Sequence, residues 1–197
     1  MFRLARPTPA RLDAFLAAQR TATFAYPEVG ASRGATPPGY NVDHHRVRLG
    51  HGAPTFRRAR EALRAWRMFA LDWVRIHPAA APVVPGSTVA VVVRHYGFWS
   101  ANANRLVYAI DEDDGAEARF GFAYGTLPAH AEIGEERFLV TWDRRDDAVW
   151  YDLFAFSRPR HPLARLGYPL SRALQRRFAR ESLQAMAAAV AAGGRDA

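Results

Sequence analysis

The chain has 197 residues, of which 49% are hydrophobic and 12% aromatic, so it is long and apolar enough to form one globular domain with a large core. It contains no cysteine, which excludes disulfides, thiolate chemistry and cysteine-ligated metal sites. The formal net charge is +8, but all 27 basic residues are arginine, as a GC-biased coding sequence would give. The charge therefore favours a solvated basic surface over a dedicated nucleic-acid partner.

The first 39 residues predict a helix and a connecting loop. Thr8-Pro9 has the pattern of a helix cap followed by proline in the first turn, and Leu12 and Leu16 then recur at helical spacing. Residues 26–39 are rich in proline and glycine, which predicts the loop. Arginines interrupt residues 1–19, so no signal-peptide core is present, and no later segment is apolar for long enough to span a membrane. We expect a cytoplasmic protein.

A strand, a helix and three further strands are predicted between residues 40 and 111. Residues 40–49 are polar and alternate, which is typical of an edge strand with one wet face. Residues 54–70 carry an apolar stripe at helical spacing, with a stripe of arginines beside it. We expect the arginine stems to flank a buried seam with their heads in water, rather than to form an anion-binding ridge. The other strands are expected at 72–76, 88–96 and 100–111.

Three aromatic-rich segments follow, at residues 117–126, 136–143 and 149–157, and they predict a meander of antiparallel strands. Asp113-Asp114-Gly115 marks the turn before them. Residues 162–192 then predict a long amphipathic helix, kinked or split at Pro169 and ended by Gly193-Gly194, with residues 193–197 frayed. Such a sheet needs a cover, and this helix could supply it and enclose a pocket.

The order of elements predicts an α+β fold. A curved, mostly antiparallel sheet of seven strands would grip the long C-terminal helix within one domain, residues 40–192, preceded by the extra N-terminal helix. This arrangement resembles the helix-grip fold of the lipid-transfer and plant-allergen superfamily, which includes aromatic polyketide cyclases. The resemblance implies a fold and assigns no function by itself.

Several motifs also resemble one family, catalogued as domain of unknown function nineteen-ninety and found in bacteria and plants. The resemblance extends over nearly the whole chain after the first helix and implies no particular activity. Its motifs are Tyr40-Asn-Val-Asp-His-His, Gly97-Phe-Trp99 with Asn104 and Arg105, Phe122-Ala-Tyr-Gly-Thr-Leu-Pro128, Gly134-Glu-Glu-Arg-Phe138, and Trp150-Tyr-Asp152 through Phe156-Ser-Arg-Pro159.

Asp152 is the most informative single residue of the sequence. Strand alternation groups it with Trp150 and Phe154, and both faces of its strand are expected to be buried. A carboxylate in such surroundings must be paired or hydrogen-bonded, and its pKa is often raised. Asp152 is therefore either half of a structural ion pair or an acid or ligand anchor in the pocket. The candidate ion-pair partners are Arg94, Arg105 and Arg137.

Other polar side chains interrupt apolar strands where a pocket could use them. Tyr124 and Thr126 end a face of phenylalanines, and Asn102 and Asn104 are expected to share a face with Tyr108. A few polar groups among apolar walls orient a ligand, although an ordinary core or a solvent-facing strand gives the same pattern. The predicted ligand-binding residues are Trp99, Asn102, Asn104, Tyr108, Tyr124, Thr126, Trp150 and Asp152.

The remaining titratable residues give weaker signals. Glu132, Glu135 and Glu136 stand beside His130, but their spacing matches no metal-ligand motif and a solvated turn is expected. His44-His45 on the edge strand should point to opposite faces. The sequence contains no G-x-S-x-G, P-loop or G-x-G-x-x-G motif, and we predict neither a metal nor a cofactor.

The leading hypothesis is a small-molecule binding protein that holds an apolar or amphipathic ligand, such as a lipid, an isoprenoid or a polyketide, between sheet and C-terminal helix. The alternative is a cofactor-independent cyclase or isomerase that uses Asp152 or a histidine as its acid or base. Arginine-driven nucleic-acid binding is a third hypothesis. The sequence leaves open whether the ligand is held or transformed, and it does not indicate an oligomeric state.

Overall fold

The computed structural model describes residues 2–95, 97–160 and 168–194. Short 3₁₀ turns at Ala31–Arg33 and Arg67–Phe69 supplement the regular elements. The helices and strands in chain order are β1 (Phe2–Arg3), α1 (Pro9–Ala17), β2 (Asn41–His51), α2 (Gly52–Arg64), β3 (Val74–His77), β4 (Thr88–Arg94), β5 (Trp99–Asp113), β6 (Glu117–Thr126), β7 (Glu132–Asp143), β8 (Ala148–Pro159) and α3 (Tyr168–Ala192).

Seven strands form one antiparallel sheet in the order β2-β8-β7-β6-β5-β4-β3, and the short β1 pairs with β5. The predicted seven-stranded sheet, its C-terminal helix and the edge position of residues 40–49 are confirmed. Helix α3 ends at Ala192, directly before the two glycines. The predicted start of this helix at residue 162 lies outside the described residues.

The inner face of the sheet is the face that packs against α2 and α3. Its core is aromatic: Phe122 and Phe138 are fully buried against each other, Phe138 packs on Phe69, and Phe69 packs on Phe178 of α3. Apolar residues of β6 and β7 alternate toward this face because successive strand side chains point to opposite sides. Most of the buried apolar surface that stabilises the domain therefore lies between the sheet and these two helices.

Helix α2 ends earlier than the predicted 54–70 segment. The backbone of Trp66 is left-handed, with φ of 54°, and this breaks the helix after Arg64. The indole then packs 4.7 Å from the ring of Phe122 and donates its N–H to the carbonyl of Ala81 at 2.8 Å. Packing and a buried hydrogen bond compensate here for an unfavourable backbone conformation.

Arginines of the α2 stripe flank the buried apolar seam of the helix. Arg60 and Arg64 both pair with Asp111, and both guanidinium groups lie over the ring of Phe120. Their stems cover the edge of the core, and their heads are bound within the protein.

The outer face of the sheet is covered by the N-terminal segment. Leu12 and Leu16 of α1 pack against Ala90 and Val92 of β4 and against two alanines of β5. Trp99 belongs to this outer cluster, and the guanidinium of Arg6 lies 5.8 Å from its ring. The extra N-terminal helix thus closes the side of the sheet that α2 and α3 leave open.

A β-bulge in β5 corrects one expectation about side-chain direction. Leu106 pairs with Tyr124, but Tyr108 pairs with Ala123, so Val107 is an extra residue that has no opposite partner. One extra residue reverses the alternation of the rest of the strand. The prediction that Tyr108 shares a face with Asn102 and Asn104 is therefore wrong, and Tyr108 packs on the outer face beside Ala123.

Candidate ligand-binding site

A cavity of about 420 Å³ lies between the inner face of the sheet and α3. This volume is within the usual range of small-molecule sites, roughly 300–1,000 Å³. Its walls are mostly apolar and include Val74, Val91, Val93, Leu153, Leu174 and Phe178. The valines come from β3 and β4, which extend the sheet beyond the part that α2 covers.

A band of polar side chains crosses this apolar wall. Asn104 on β5 is opposite Thr126 on β6, and Tyr124 on β6 is opposite Glu136 on β7. Asn102 lines the cavity one step further along β5. Because these residues occupy inner-facing positions of three neighbouring strands, their polar groups lie side by side.

Asn104 is fully buried, yet its side-chain amide is only half satisfied. Its Nδ2 donates to the carbonyl of Asn102 at 3.2 Å, whereas its Oδ1 has no hydrogen-bond partner within the described residues. A buried acceptor without a donor is rare and unfavourable by roughly 1–3 kcal/mol. This cost belongs to the protein itself, because Oδ1 is not exposed to the cavity.

Glu136 is the titratable group of the polar band. The hydroxyl of Tyr124 donates to its Oε2 at 2.5 Å. Burial, together with the carboxylates of Asp43 and Glu132, raises the pKa of Glu136 to about 7, although the Tyr124 hydrogen bond acts in the opposite direction. Glu136 therefore changes its charge near neutral pH. Burial also raises the pKa of Tyr124 well above its ordinary value, so this residue stays a hydrogen-bond donor.

Polar contacts join α3 to the sheet at one end of the cavity. Glu132 of β7 accepts hydrogen bonds from Ser171 and from Gln175 of α3, the latter at 2.5 Å. Asp43 of β2 forms a salt bridge with Arg172 of α3. These contacts fix the first turns of the helix over the cavity.

His130 lies in the turn before β7 and lines the same end of the cavity. Its Nδ1 accepts a hydrogen bond from the backbone N–H of Glu132 at 2.9 Å. Burial lowers the pKa of His130 to about 4, so the ring is neutral at physiological pH. Within the described residues, no three His, Asp or Glu side chains are grouped so that they could hold a metal ion.

The structure divides the eight predicted ligand-binding residues between the two faces. Asn102, Asn104, Tyr124 and Thr126 line the cavity. Trp99, Tyr108, Trp150 and Asp152 do not. The inner positions of β8 are Val149, Tyr151 and Leu153, so Trp150 and Asp152 point outward.

On the outer face, Asp152 is held by two cationic or polar partners. Nη2 of Arg137 donates to its carboxylate at 3.1 Å, and Nε2 of His44 donates at 2.6 Å. The side chain of Asp152 is 11% exposed and that of Arg137 is 18% exposed. Of the two interpretations of Asp152, this geometry favours the structural ion pair, with Arg137 as the partner.

Glu136 is not among the predicted ligand-binding residues, although the predicted 136–143 strand begins with it. Because β7 begins at Glu132, four residues earlier than predicted, Glu132 and Glu135 are strand residues too, and the side chains of Glu135 and Glu136 point to opposite faces. The available signal was the spacing of Glu136 from Phe138 and Val140, which places all three on one face.

Within the described ranges, none of the helices combines the length and apolar character needed to cross a membrane.

A curved antiparallel sheet that holds a C-terminal helix against its inner face defines a helix-grip domain. The chain belongs to the family described as domain of unknown function DUF1990, whose model matches residues 25–185. A UPF0548 protein of Deinococcus radiodurans is 45% identical over 91% of this chain and 94% of its own length. A UPF0548 protein of Dictyostelium discoideum is 34% identical over 96% of both chains, which confirms the resemblance found in the sequence motifs.

Solved structures with a similar chain arrangement are distant in sequence. A Thermus thermophilus protein, TTHA0849, has 16% identity and a TM-score of 0.49, over 78% of this chain and 99% of its own. A norcoclaurine synthase point mutant of Thalictrum has 10% identity and a TM-score of 0.48, over 81% and 99%. Human STARD10 has 8% identity and a TM-score of 0.38, over 92% and 82%. At these scores nothing about ligand or chemistry follows for this chain.

Proposed function

We propose that this protein binds an apolar or amphipathic small molecule, of the kind of a lipid, an isoprenoid or a polyketide, in the cavity between sheet and α3. The observation that carries the proposal is a cavity of about 420 Å³ whose mostly apolar wall is crossed by the polar band of Asn102, Asn104, Thr126, Tyr124 and Glu136. A core that served only stability would not need this band, since apolar residues of the same shape would be more favourable there.

The apolar wall supplies the main driving force. A ligand that buries about 200 Å² of apolar surface gains about 5 kcal/mol at 25 cal/mol per Å². Part of this gain is offset by the lost freedom of the ligand. The polar band adds orientation more than affinity, because its hydrogen bonds replace those the ligand makes with water.

The test is a titration with the neutral fluorescent dye N-phenyl-1-naphthylamine. We expect saturable binding to the wild type and a loss of at least about tenfold in affinity for Val91→Phe, because the larger side chain fills the cavity. Val107→Phe makes the same change beside the outer-face cluster and serves as the matched control. Absence of saturable binding, or equal affinity for both variants, would contradict the proposal.

A second candidate is proton transfer by Glu136, and the observation that favours it is a carboxylate in the cavity wall whose pKa is raised to about 7 by burial. It replaces Asp152 as the acid or base of the enzymatic hypothesis, because Asp152 lies on the outer face. The probe is 5-nitrobenzisoxazole, from which a carboxylate removes the ring C–H proton while the N–O bond breaks to give a nitrile and a phenolate. We expect a rate that rises through about pH 7 and is lost in Glu136→Gln. A rate unchanged in this variant would exclude the candidate.

A further inference from the structure

The wall of the cavity differs in charge from the rest of the protein. The whole chain has a net charge of +8 and 27 arginines. Among the described residues that line the cavity there is no arginine, whereas four residues are acidic: Asp43, Glu132, Glu135 and Glu136. The charged residues that line the cavity of this basic protein are thus acidic.

Two of these four carboxylates are already satisfied. Asp43 pairs with Arg172, and Glu135 points outward and accepts hydrogen bonds from Tyr26 and Ser32. Their charge is balanced or solvated by groups of the protein itself.

The other two carboxylates have neutral partners. Glu132 accepts from Ser171 and Gln175, and Glu136 accepts from Tyr124. No cationic partner contacts either of them within the described part of the chain, so negative charge is left in the cavity wall. The titratable and charged groups around Glu136 are Asp43 on β2, Tyr124 on β6, Glu132 on β7, Tyr151 on β8, Arg172 on α3 and His130 in the preceding turn.

We propose that the ligand has an apolar body and a hydrogen-bond-donating head, with a protonated amine preferred over a hydroxyl and a carboxylate disfavoured. The carboxylate of Glu136 would accept from this head. The inference rests on the proposed function and specifies the ligand class of the same cavity.

Two carboxylates of the wall lead to the same head group. Glu132 and Glu136 are both acceptors, and their hydrogen-bond partners among the described residues are neutral. An amine cation offers several donors and has the opposite charge to both carboxylates. A carboxylate head would bring further acceptors and a like charge into a site of low dielectric, where repulsion is strong.

The charge of Glu136 makes this preference depend on pH. Burial places the pKa of Glu136 at about 7, so its ionised fraction rises about tenfold between about pH 6 and pH 8. An alkylamine, with a pKa near 10.4 by analogy with lysine, stays protonated over this range. We therefore expect amine affinity to increase by up to about tenfold over these two pH units, and alcohol affinity to change little.

The experiment displaces N-phenyl-1-naphthylamine with decylamine, decanol and decanoate, which share one alkyl chain, at about pH 8. We expect decylamine to bind most tightly, decanol less tightly and decanoate least tightly. The affinities of decylamine and decanoate should differ by at least about tenfold, or 1.4 kcal/mol. Non-specific attraction to a protein of charge +8 would favour decanoate. The expected order therefore cannot arise from the net charge of the surface.

Glu136→Gln should abolish the advantage of the amine over the alcohol in the same displacement measurement. Asp143→Asn removes a carboxylate that pairs with the exposed Arg145 outside the cavity, and it should leave the order intact. Equal affinities, or tightest binding of decanoate, would overturn this inference and leave the proposed function standing. Failure of the dye to bind the wild type would instead refute the proposed function.

Discussion

Glu135 and Glu136 are neighbours on β7, and their side chains enter opposite environments. Glu135 faces outward and accepts from the hydroxyl of Tyr26 at 2.6 Å, from the backbone N–H groups of Gly30 and Ser32 at 2.8 and 3.0 Å, and from the hydroxyl of Ser32. Glu136 faces inward and accepts one hydrogen bond, from Tyr124.

The comparison shows that burial alone does not identify a functional carboxylate. The fold surrounds Glu135 with donors, so its charge is solvated by the protein and holds the 26–33 segment on the sheet. Glu136 has one donor and two neighbouring carboxylates, so its charge is poorly compensated. The number and charge of the partners separate a structural acid from one that is available to a ligand.

The outer network also accounts for two predicted ligand-binding residues. The hydroxyl of Ser32 bonds to that of Tyr108 at 2.6 Å, and its carbonyl accepts from Arg137 at 2.9 Å. Arg137 in turn pairs with Asp152. Tyr108 and Asp152 are therefore linked to Glu135 in one continuous polar network beneath the N-terminal loop.

The largest expected effect is that of Glu135→Ala. It removes the acceptor of several buried donors, among them the hydroxyl of Tyr26 and the N–H of Ser32, and each unsatisfied donor costs about 1–3 kcal/mol. We expect a loss of about 4–6 kcal/mol in the free energy of unfolding, measured by urea denaturation at neutral pH. A loss under about 1 kcal/mol would mean that the loop is not anchored through this carboxylate.

Asp152→Asn should have the second largest effect. It should lower the free energy of unfolding by about 3–5 kcal/mol, because it leaves Arg137 without its charge partner in a mostly buried position. Asp143→Asn is the control, since Asp143 pairs with an exposed arginine, and its unfolding should hardly change. In the fraction of Asp152→Asn that stays folded, dye affinity should equal that of the wild type. Weaker dye binding by the folded variant would place Asp152 in the site after all.

Glu136→Gln should have the smallest effect on the free energy of unfolding, and it should increase this free energy rather than decrease it. The pKa of Glu136 is raised from 4.5 to about 7 on folding, so the folded state binds the proton more tightly than the unfolded state. This contribution to stability is fully present below about pH 4.5 and is lost as pH rises through about 7, by about 3 kcal/mol in all.

The amide variant lacks this titration, so at about pH 8 it should be more stable than the wild type by up to about 3 kcal/mol. Near pH 4 the two proteins should be equal, since both side chains are then neutral. Unfolding of both across this range provides the test, and all other titrating groups cancel in the difference. Parallel pH profiles would show that Glu136 is well solvated in the folded state.

Regular strands explain why much of the fold and half of the predicted site follow from the sequence. Alternation along β6 places Tyr124 and Thr126 beside Phe122 on one face, and the structure has them there because β6 has no bulge within this segment. Asn102 and Asn104 precede the bulge of β5 and keep their predicted face for the same reason.

The rest depends on contacts between residues distant in sequence. Nothing in the Leu106-Val107-Tyr108 segment marks a bulge, since it contains neither glycine nor proline. Both faces of β8 are apolar, so alternation separates Asp152 from Tyr151 without saying which of them faces α3. The cover over Asp152 and Glu135 comes from residues about a hundred positions earlier, and no local pattern reveals it.

The edge position of β2 has a consequence for how the protein is made. His44 of β2 pairs with Phe154 of β8, the last strand of the sheet. Strand β2 therefore cannot pair within the sheet until β8 has been synthesised. At roughly 5–20 residues per second, a ribosome needs about 5–20 s to synthesise the segment between them. During that interval the polar residues of β2, His44, Arg46 and Arg48 among them, keep the nascent strand soluble and discourage pairing with other chains.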